Sequence, residues 1–445
     1  MSELLDLAQA AVEAAQAAGA DCCDAYCSDS TEVSVEVENS SINYCATVRD
    51  QGLSVRAYRN GGQGFATVQQ LSLESARECA RRAVEMAKAA HPDPDFVRLP
   101  DPGEVEEVPE LFDEELAGLD AGAFVQWCAR GIEEAHAVAD DAIVQGGAGV
   151  GWGDSALASS TGIAVARRGS SAGISFFVIV NRDGDVGTYF EQDMARRLAD
   201  LEPEGIGEQA ARDALDQLSS RPVPTARVPI ILGPLATMTL VGSVIGAADA
   251  DGVQRNRRWL AGREGEEIAS RLLTVREEPL VPAGLRSSEY DGEGVPREPR
   301  RLIDAGVLTT YLHNSYTAHK ADVEPTGHAS RSGYSSSVGI GPSNLQVVPG
   351  EKTEAELISG VDEGIYAAYA GIAPNSVTGE VSTTIDFGFR IENGELTTPL
   401  STTLIGSTGE ELLGGIDGIS SDYREEPGII LPSMRIASVQ VASEG

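Results

Sequence analysis

Lysine is almost absent from this 445-residue chain: three of its 33 basic residues are Lys, and the other thirty are Arg. Basic charge as a whole is also scarce, because 69 Asp and Glu residues give a formal net charge of -36. Such an acidic surface repels a phosphate backbone, so the composition excludes a nucleic-acid partner held by charge neutralisation. It disfavours binding to an anionic membrane surface for the same reason.

The acidic excess predicts a protein adapted to a high-salt cytoplasm, where screening removes most of the self-repulsion between carboxylates. A GC-rich genome would also favour Arg over Lys, so both explanations stay open. No apolar run approaches the roughly eighteen residues that a membrane span needs. Residues 1–20 form an amphipathic, acidic pattern and lack the basic start of a signal peptide. We therefore expect a cytoplasmic protein with no membrane partner.

Metal and nucleophile motifs are scarce as well. The six Cys all lie within residues 22–128 and show no zinc-finger spacing. The five His include no pair four residues apart with a Glu between them, which is the pattern of a helical zinc peptidase. His313, His319 and His328 could still meet in a folded site, but single hydrogen-bonded histidines are the more ordinary explanation. No G-x-S-x-G nucleophile elbow is present.

What the sequence contains is a series of helix-like and strand-like patterns. Apolar residues keep helical spacing over 3–18, and from Thr31 the period changes to two, in runs separated by Asn and Gly-Gly turns. That change predicts an antiparallel meander after the first helix. The Gly-rich stretch 146–154 is expected to form strand and turn. Further helices are expected at 72–90, 121–139, 208–218, 233–252 and 352–370.

Two proline-bearing stretches predict the division of the chain into three regions. Residues 91–110 are rich in Pro and carboxylates, and residues 221–226 form a short Pro-bearing linker. We predict an N-terminal α+β region over 1–100, a second α+β region over 101–220 and a strand-rich domain over 221–445. The predicted fold class is α+β, with N-terminal α/β regions that contain the meander and a barrel-like C-terminal domain.

Turn-dense stretches at 287–331, 373–396 and 411–422 match no general catalytic motif. At these residues the chain resembles the TldD/PmbA family, also called TldD/TldE. An upstream family signature, G-x-x-V-R followed by G-x-G-F-A, is met by residues 52–66. The candidate peptide-groove residues are those that meet the family motifs: Asp291, Glu293 and Gly294 in D-x-E-G-x-P, Thr326, Gly327 and Arg331 in a T-G turn followed by Arg, and Asn375, Gly379 and Ser382 in N-x-x-x-G-x-x-S.

The family has two branches that differ in their metal ligands. The TldD branch resembles a zinc peptidase, in which a helix carries H-E-x-x-x-H and a Cys near the C-terminus completes the site. In this chain the corresponding helix, 233–252, has no His, Glu or Cys, and the last Cys is Cys128. The resemblance therefore implies a TldE/PmbA-type chain with no catalytic residues and no cofactor of its own.

The resemblance also implies a partner and a substrate. The partner would be a TldD-like paralogue that carries the zinc, and the substrates would be small or unfolded peptides and modified-peptide precursors. Two alternatives stay open. The chain could be a self-sufficient peptidase with a diverged site, or a non-catalytic peptide-binding module that pairs with itself as a homodimer.

Overall fold

The computed structural model describes residues 2–443. The part before residue 220 contains five α-helices and six β-strands. The helices are α1 (Ser2–Ala17), α2 (Leu73–Ala89), α3 (Glu114–Ala117), α4 (Ala121–Val138) and α5 (Ile206–Asp216). The strands are β1 (Cys22–Glu38), β2 (Ser41–Arg59), β3 (Gly62–Val68), β4 (Ile143–Ser159), β5 (Ala164–Arg182) and β6 (Asp185–Ala195).

These six strands form one antiparallel sheet in the order β3-β2-β1-β4-β5-β6. It therefore takes strands from both of the first two predicted regions. Odd-numbered residues of β1 point to the helices: one end packs with α1 and α2, and the other packs with α4 and α5. Because side chains alternate along a strand, the even-numbered residues of β1 and their cross-strand partners lie on the opposite, helix-free face. We call this surface the open face.

The region after residue 220 is rich in short strands. Its helices are α6 (Pro234–Gly246), α7 (Ala250–Gln254), α8 (Ser315–Ala321), α9 (Glu354–Ser359) and α10 (Gly409–Gly414). Its strands are β7 (Ala226–Leu232), β8 (Val275–Glu277), β9 (Arg300–Asp304), β10 (Val307–Leu308), β11 (Ala329–Ser330), β12 (Gly339–Ile340), β13 (Leu345–Val347), β14 (Glu363–Ala370), β15 (Glu380–Glu392), β16 (Glu395–Pro399), β17 (Thr403–Thr408), β18 (Ile416–Glu426) and β19 (Ile429–Ser443).

Five of these strands close into a barrel. The order is β7-β14-β15-β17-β19, and β19 also pairs with β7, which completes the ring. Because the ring is closed, each of these five strands pairs with a neighbour on both sides. Helix α6 packs against the barrel core through a set of fully buried apolar side chains. The prediction of an α+β fold with a strand-rich, barrel-like C-terminal domain is confirmed.

Two of the predicted helices begin directly after a capping residue. Helix α2 begins after Ser72, whose side chain accepts a hydrogen bond from the Ser75 amide, and α4 begins after the capping carboxylate of Asp120. A cap of this kind stabilises a helix by about 1 kcal/mol. No helix within residues 2–443 is long and apolar enough to cross a bilayer.

The helix predicted over 352–370 is wrong for most of its length. The capping box of Thr353 and Glu356 does begin a helix, but α9 ends at Ser359 and β14 follows. The buried positions of β14 fall at 364, 365, 367, 368 and 370, a spacing that matches a helix. Its register with β15 shifts beyond Ala367, and this β-bulge breaks the alternation of the strand over 367–370.

The Gly-rich stretch 146–154 is strand throughout, and not strand followed by a turn. It lies in the middle of β4, where it pairs continuously with β1 and β5. Glycine has no side chain to show a period of two, so the pattern that identifies a strand is lost there.

Candidate functional site

A cluster of buried charges joins the six-stranded sheet to the C-terminal domain. Asp24 on β1 lies opposite Arg56 on β2, and the Arg56 guanidinium donates hydrogen bonds to the Asp24 carboxylate. The same guanidinium reaches Glu293, with Arg56 Nη2 2.8 Å from Glu293 Oε1. Arg331 lies 3.2 Å from Asp24. Together with Asp291, these four residues form what we call the junction cluster.

A tight turn at Asp291 positions the acidic residues of the cluster. Oδ1 of Asp291 accepts hydrogen bonds from the amides of Glu293 and Val295, and Oδ2 accepts one from the Ala329 amide. Gly294 has a φ of +82°, where a Cβ would also lie 2.6 Å from a methyl of Ile163. Only glycine suits this position, both in conformation and in space.

Glu293 connects three parts of the chain. One oxygen accepts from Arg56, and the other accepts from the amide of Ser315, the first residue of α8, at 2.8 Å. The Glu293 side chain is 1% exposed and that of Arg56 is 8% exposed. A buried charge of this kind needs its partners, because water cannot replace them.

The pKa values of the two aspartates of the cluster are shifted in opposite directions. Burial opposes ionisation of Asp24, but the guanidinium groups of Arg56 and Arg331 outweigh it and hold the pKa of Asp24 below its ordinary value. Burial, and next the charge of Glu293, raises the pKa of Asp291 to about 6. Asp291 is therefore the carboxyl of the cluster that takes up a proton in mild acid.

His328 lies in a second buried polar group beside the cluster. One ring nitrogen is hydrogen-bonded to the Thr326 hydroxyl at 2.7 Å, and the other is hydrogen-bonded to the carboxylate of Glu277. Burial opposes ionisation of Glu277, yet its hydrogen bond and charge interaction with His328 lower the pKa of the carboxyl overall. His313 contacts Thr317 through Nδ1, and burial lowers its pKa.

The three histidines considered as metal ligands, His313, His319 and His328, do not meet in one cluster of metal-binding side chains within residues 2–443. His328 is already held by Thr326 and Glu277, and His313 by Thr317. Nowhere in residues 2–443 do three or more His, Cys, Asp or Glu side chains converge in a way that could hold a metal ion.

The structure brings six of the nine motif residues together at this junction. The Arg331 Nε donates to the carbonyl of Gly292, and Gly327, at a φ of +76°, packs against the backbone of Pro296. The six are Asp291, Glu293, Gly294, Thr326, Gly327 and Arg331.

The other three motif residues lie apart from the cluster. The Asn375 side chain accepts from the amides of Val377 and Thr378, which closes a turn before β15. Gly379, at a φ of +74°, packs on the ring of Trp259, and Ser382 is exposed on β15. Asn375 and Gly379 therefore shape a barrel turn, and the geometry does not bring them to the junction.

Helix α6 occupies the position where the resemblance places a metal-binding helix. Its sequence, PLATMTLVGSVIG, contains no imidazole, carboxylate or thiol. Side chains on its buried side belong to the apolar barrel core, among them Ala236, Leu240 and Val244. Zinc is held in proteins by His nitrogen, Cys sulfur and carboxylate oxygen. The side chains of α6 therefore do not fit a zinc ion.

Three family models match the chain in order along its length. They are described as PmbA/TldA metallopeptidase domain 1 over residues 23–87, the central domain over 109–218 and the C-terminal domain over 225–443. The chain belongs to the PmbA/TldD metallopeptidase family. The PmbA/TldD resemblance found at the turn motifs thus extends over nearly the whole chain.

Individual relatives agree with the PmbA/TldD assignment. The chain is 28% identical to "Metalloprotease PmbA" of Escherichia coli O157:H7 over 412 residues, which cover 90% of this chain and 88% of the relative. It is 26% identical to "Metalloprotease TldD homolog" of Buchnera aphidicola, covering 88% and 84% of the two chains. The crystal structure of TldE from Thermococcus kodakarensis superposes with a TM-score of 0.90 at 26% identity, covering 97% and 99%.

Some residues of the site in this PmbA/TldD-family chain could not be predicted from the sequence. Arg56 belongs to the G-x-x-V-R signature, but nothing in the sequence connects it with Glu293, 237 positions later. Asp24 and Glu277 stand in no motif. Asp24 is one of five carboxylates on β1, so nothing in the sequence marks it as the buried one that requires a cation nearby.

Proposed function

We propose that this chain is the non-metal-binding, TldE/PmbA-type subunit of a two-subunit zinc peptidase in the cytoplasm. Its partner is a TldD-like paralogue that carries the zinc, and its substrates are small or unfolded peptides and modified-peptide precursors. The observation that carries the proposal is the composition of α6, which has no zinc-binding side chain and packs its apolar residues into the barrel core.

The C-terminal strands add support. In the zinc-bearing branch a Cys near the C-terminus completes the metal site, whereas β18 and β19 of this chain contain no Cys. Two of the places where the zinc-bearing branch has metal ligands, α6 and the C-terminal strands, therefore lack those ligands in this chain. Because a zinc site needs three or four such ligands, the metal of the proposed enzyme lies in the partner subunit.

The open face of the six-stranded sheet is the surface that we assign to the peptide. A groove of about 710 Å³ lies over β1, β4 and β5, toward the Glu36 end of this face. The floor of the groove includes Gly147, Gly149 and Gly151 of β4, where no side chain rises from the sheet. Glycines within a strand permit close approach of another backbone, so an extended peptide of any sequence can lie there.

Reconstitution with the partner tests the proposal. The chain and a TldD-like paralogue carrying H-E-x-x-x-H are purified alone and after coexpression, and cleavage of a quenched fluorescent peptide is measured. We expect cleavage only when both subunits are present, and loss of cleavage when both partner histidines are changed to Ala. Equal cleavage by the lone chain would instead establish a self-sufficient peptidase. A lone homodimer that binds peptide, with an inactive mixture, would establish a non-catalytic binding module.

Two matched glycine variants test the peptide surface in the same assay. A Cβ added at Gly151 on the open face, or at Gly406 on β17, would lie more than 4 Å from every heavy atom outside its chain neighbours, so both positions have space for a side chain. We expect Gly151→Val to raise the KM for the peptide because its side chain enters the groove, and Gly406→Val to leave KM unchanged. If the two variants changed KM equally, the open face would not be the peptide-binding surface.

A further inference from the structure

A cavity lined by arginines lies at one end of the open face, against the C-terminal domain. Its volume is about 530 Å³. On the sheet side it is lined by Tyr26, Ser28 and Ser30 of β1, which are even-numbered open-face residues. Six arginines contribute to the wall of this cavity, which we call the arginine pocket: Arg167, Arg168, Arg196, Arg286, Arg297 and Arg331. Two carboxylates, Asp50 and Asp154, also line it, and Arg168 is paired with Asp154.

Three of these arginines form no salt bridge with a carboxylate of residues 2–443. Arg167 hydrogen-bonds the Ser288 hydroxyl and stacks over the Tyr290 ring at 5.4 Å. Arg196 donates only to backbone carbonyls, among them that of Gly284 at 2.7 Å. Arg286 is exposed and makes no side-chain hydrogen bond to any residue within 2–443. Each of the three therefore brings to the pocket a guanidinium that is not held in a salt bridge within the described residues, although the charge of Glu289 acts on Arg196.

The remaining two arginines, Arg297 and Arg331, leave donors unused inside the protein. The Arg331 side chain is 2% exposed, and its Nη1 has no hydrogen-bond partner within the described residues, although Nη2 contacts Asp24. The Nε of Arg297 is also buried without a partner, and the guanidinium lies 3.7 Å from Glu277. A buried donor without an acceptor is costly, so such a group in a native fold calls for an explanation.

The arginines also act on one another. Burial, and next the charge of Arg167, lowers the pKa of Arg196 to about 10. Burial likewise lowers the pKa of Arg297; the charges of Glu277 and Asp291 oppose this shift, and those of Arg167 and Arg286 reinforce it. Like charges gathered in one cavity favour an anion that can bind to several of them at once.

The opposite end of the open face carries the opposite charge. Glu32 and Glu36 line the groove there, together with Ser34 between them. Ser28 and Glu36 are eight residues apart on β1, which corresponds to about 26 Å at 3.3 Å per residue. The surface thus runs from an acidic end to a basic end over the length of an eight-residue extended peptide.

We propose that the arginine pocket binds the C-terminal carboxylate of an extended peptide that lies along the open face, with the peptide's amino end toward Glu32 and Glu36. This inference rests on the proposed role of the chain in handling peptides. Guanidinium groups bind a carboxylate through paired charge-assisted hydrogen bonds, and this pairing makes the anion the anchoring point of the peptide.

The test compares one peptide with two different C-termini. An eight-residue peptide, labelled on an internal side chain and carrying a free amino terminus, is made as the C-terminal acid and as the amide. Binding to the full chain is measured by fluorescence anisotropy. We expect the acid to bind about tenfold more tightly than the amide, because the amide removes the charge that the arginines recognise. Equal binding of the acid and the amide would overturn the proposal.

Substitutions locate the effect in the pocket. Arg286→Gln removes a charge that no side chain of the described residues uses, and Arg167→Gln is added to it in a double variant. Arg212→Gln, an equal charge change on exposed α5, is the control. We expect the acid preference to fall in R286Q, to disappear in the double variant and to persist in R212Q. Persistence of the preference in the folded double variant would place carboxylate binding elsewhere and refute the assignment.

Inorganic phosphate is the second probe, since it presents anionic oxygens without a peptide. We expect phosphate to compete only weakly, because it lacks the contacts along the sheet. Tight phosphate binding with no binding of the acid peptide would assign the pocket to a free anion.

Selective binding of the acid peptide with no cleavage in the reconstituted mixture would leave this inference standing while the proposed function fails. Cleavage in the mixture, together with equal binding of the acid and the amide, would contradict the carboxylate assignment and leave the proposed function standing.

Discussion

Replacing Arg56 by Met tests whether the junction cluster holds the sheet and the C-terminal domain together. The substitution removes the cation shared by Asp24 and Glu293, while Arg331 remains beside Asp24 alone. Removing one partner of a buried ion pair costs about 3–5 kcal/mol, because the remaining charge stays buried without compensation. We therefore expect Arg56→Met to lower the free energy of unfolding by an amount in this range.

Arg49 provides the matched control on the same strand. It pairs with Asp29 across β1 and β2, as Arg56 pairs with Asp24, but its side chain is 63% exposed. An exposed pair contributes about 0–1 kcal/mol, so Arg49→Met is expected to cost no more than that. Arg56→Lys keeps the charge but cannot hold two carboxylates in the same geometry, and should give an intermediate loss.

The assay is urea unfolding at neutral pH and constant salt, followed by circular dichroism for all three variants. The midpoint and the slope together give the free energy of unfolding. Equal losses in Arg56→Met and Arg49→Met would refute the reasoning, because burial would then make no difference to the value of the pair. A loss in Arg56→Lys as large as that in Arg56→Met would show that the guanidinium geometry, and not its charge, supplies the stability.

Three further predictions concern pH, backbone conformation and salt. Asp291, with a pKa of about 6 in the folded chain and 3.8 ordinarily, holds its proton more tightly when folded. Stability is therefore lost as pH rises from about 4 to about 6, by about 3 kcal/mol at neutral pH, and Asp291→Asn should flatten that part of a pH series of urea midpoints. An unchanged slope would contradict the assignment. Gly294→Ala should lower Tm more than Gly184→Ala, because both have positive φ but a Cβ clashes with Ile163 only at Gly294; the shared strain is about 1–2 kcal/mol, and the clash adds about 1–3 kcal/mol. Equal Tm changes would argue against the clash. With a net charge of -36, the free energy of unfolding should rise between about 0.1 M and 1 M KCl, as the screening length falls from about 10 Å to about 3 Å; indifference to KCl would contradict adaptation to salt.

Local signals in the sequence predicted much of the secondary structure but little of the pairing between distant elements. The caps at Ser72 and Asp120 lie next to the helices that they begin, so sequence alone locates those helices. In β14 the bulge beyond Ala367 is imposed by the register with β15, which lies elsewhere in the chain. A pattern read along one segment cannot contain that information.

The candidate site shows the same division. The turn at Asp291 could be predicted, because an acidic residue followed by Glu and Gly forms a local hydrogen-bonded unit. The pairing of Glu293 with Arg56 could not, because it depends on how the C-terminal domain docks on β2. The arginine pocket is likewise invisible in a composition dominated by acid. It exists because the sheet and two separate C-terminal connections, 278–299 and 331–338, bring its arginines together.

The zinc content of the chain purified alone decides whether this subunit or its proposed partner binds the metal. Zinc per chain is measured by inductively coupled plasma mass spectrometry on the lone chain and on the coexpressed complex. We expect less than about 0.1 zinc per lone chain and about one zinc per complex, since the proposed ligands lie in the partner. About one zinc per lone chain, retained through dialysis against a weak chelator, would contradict it.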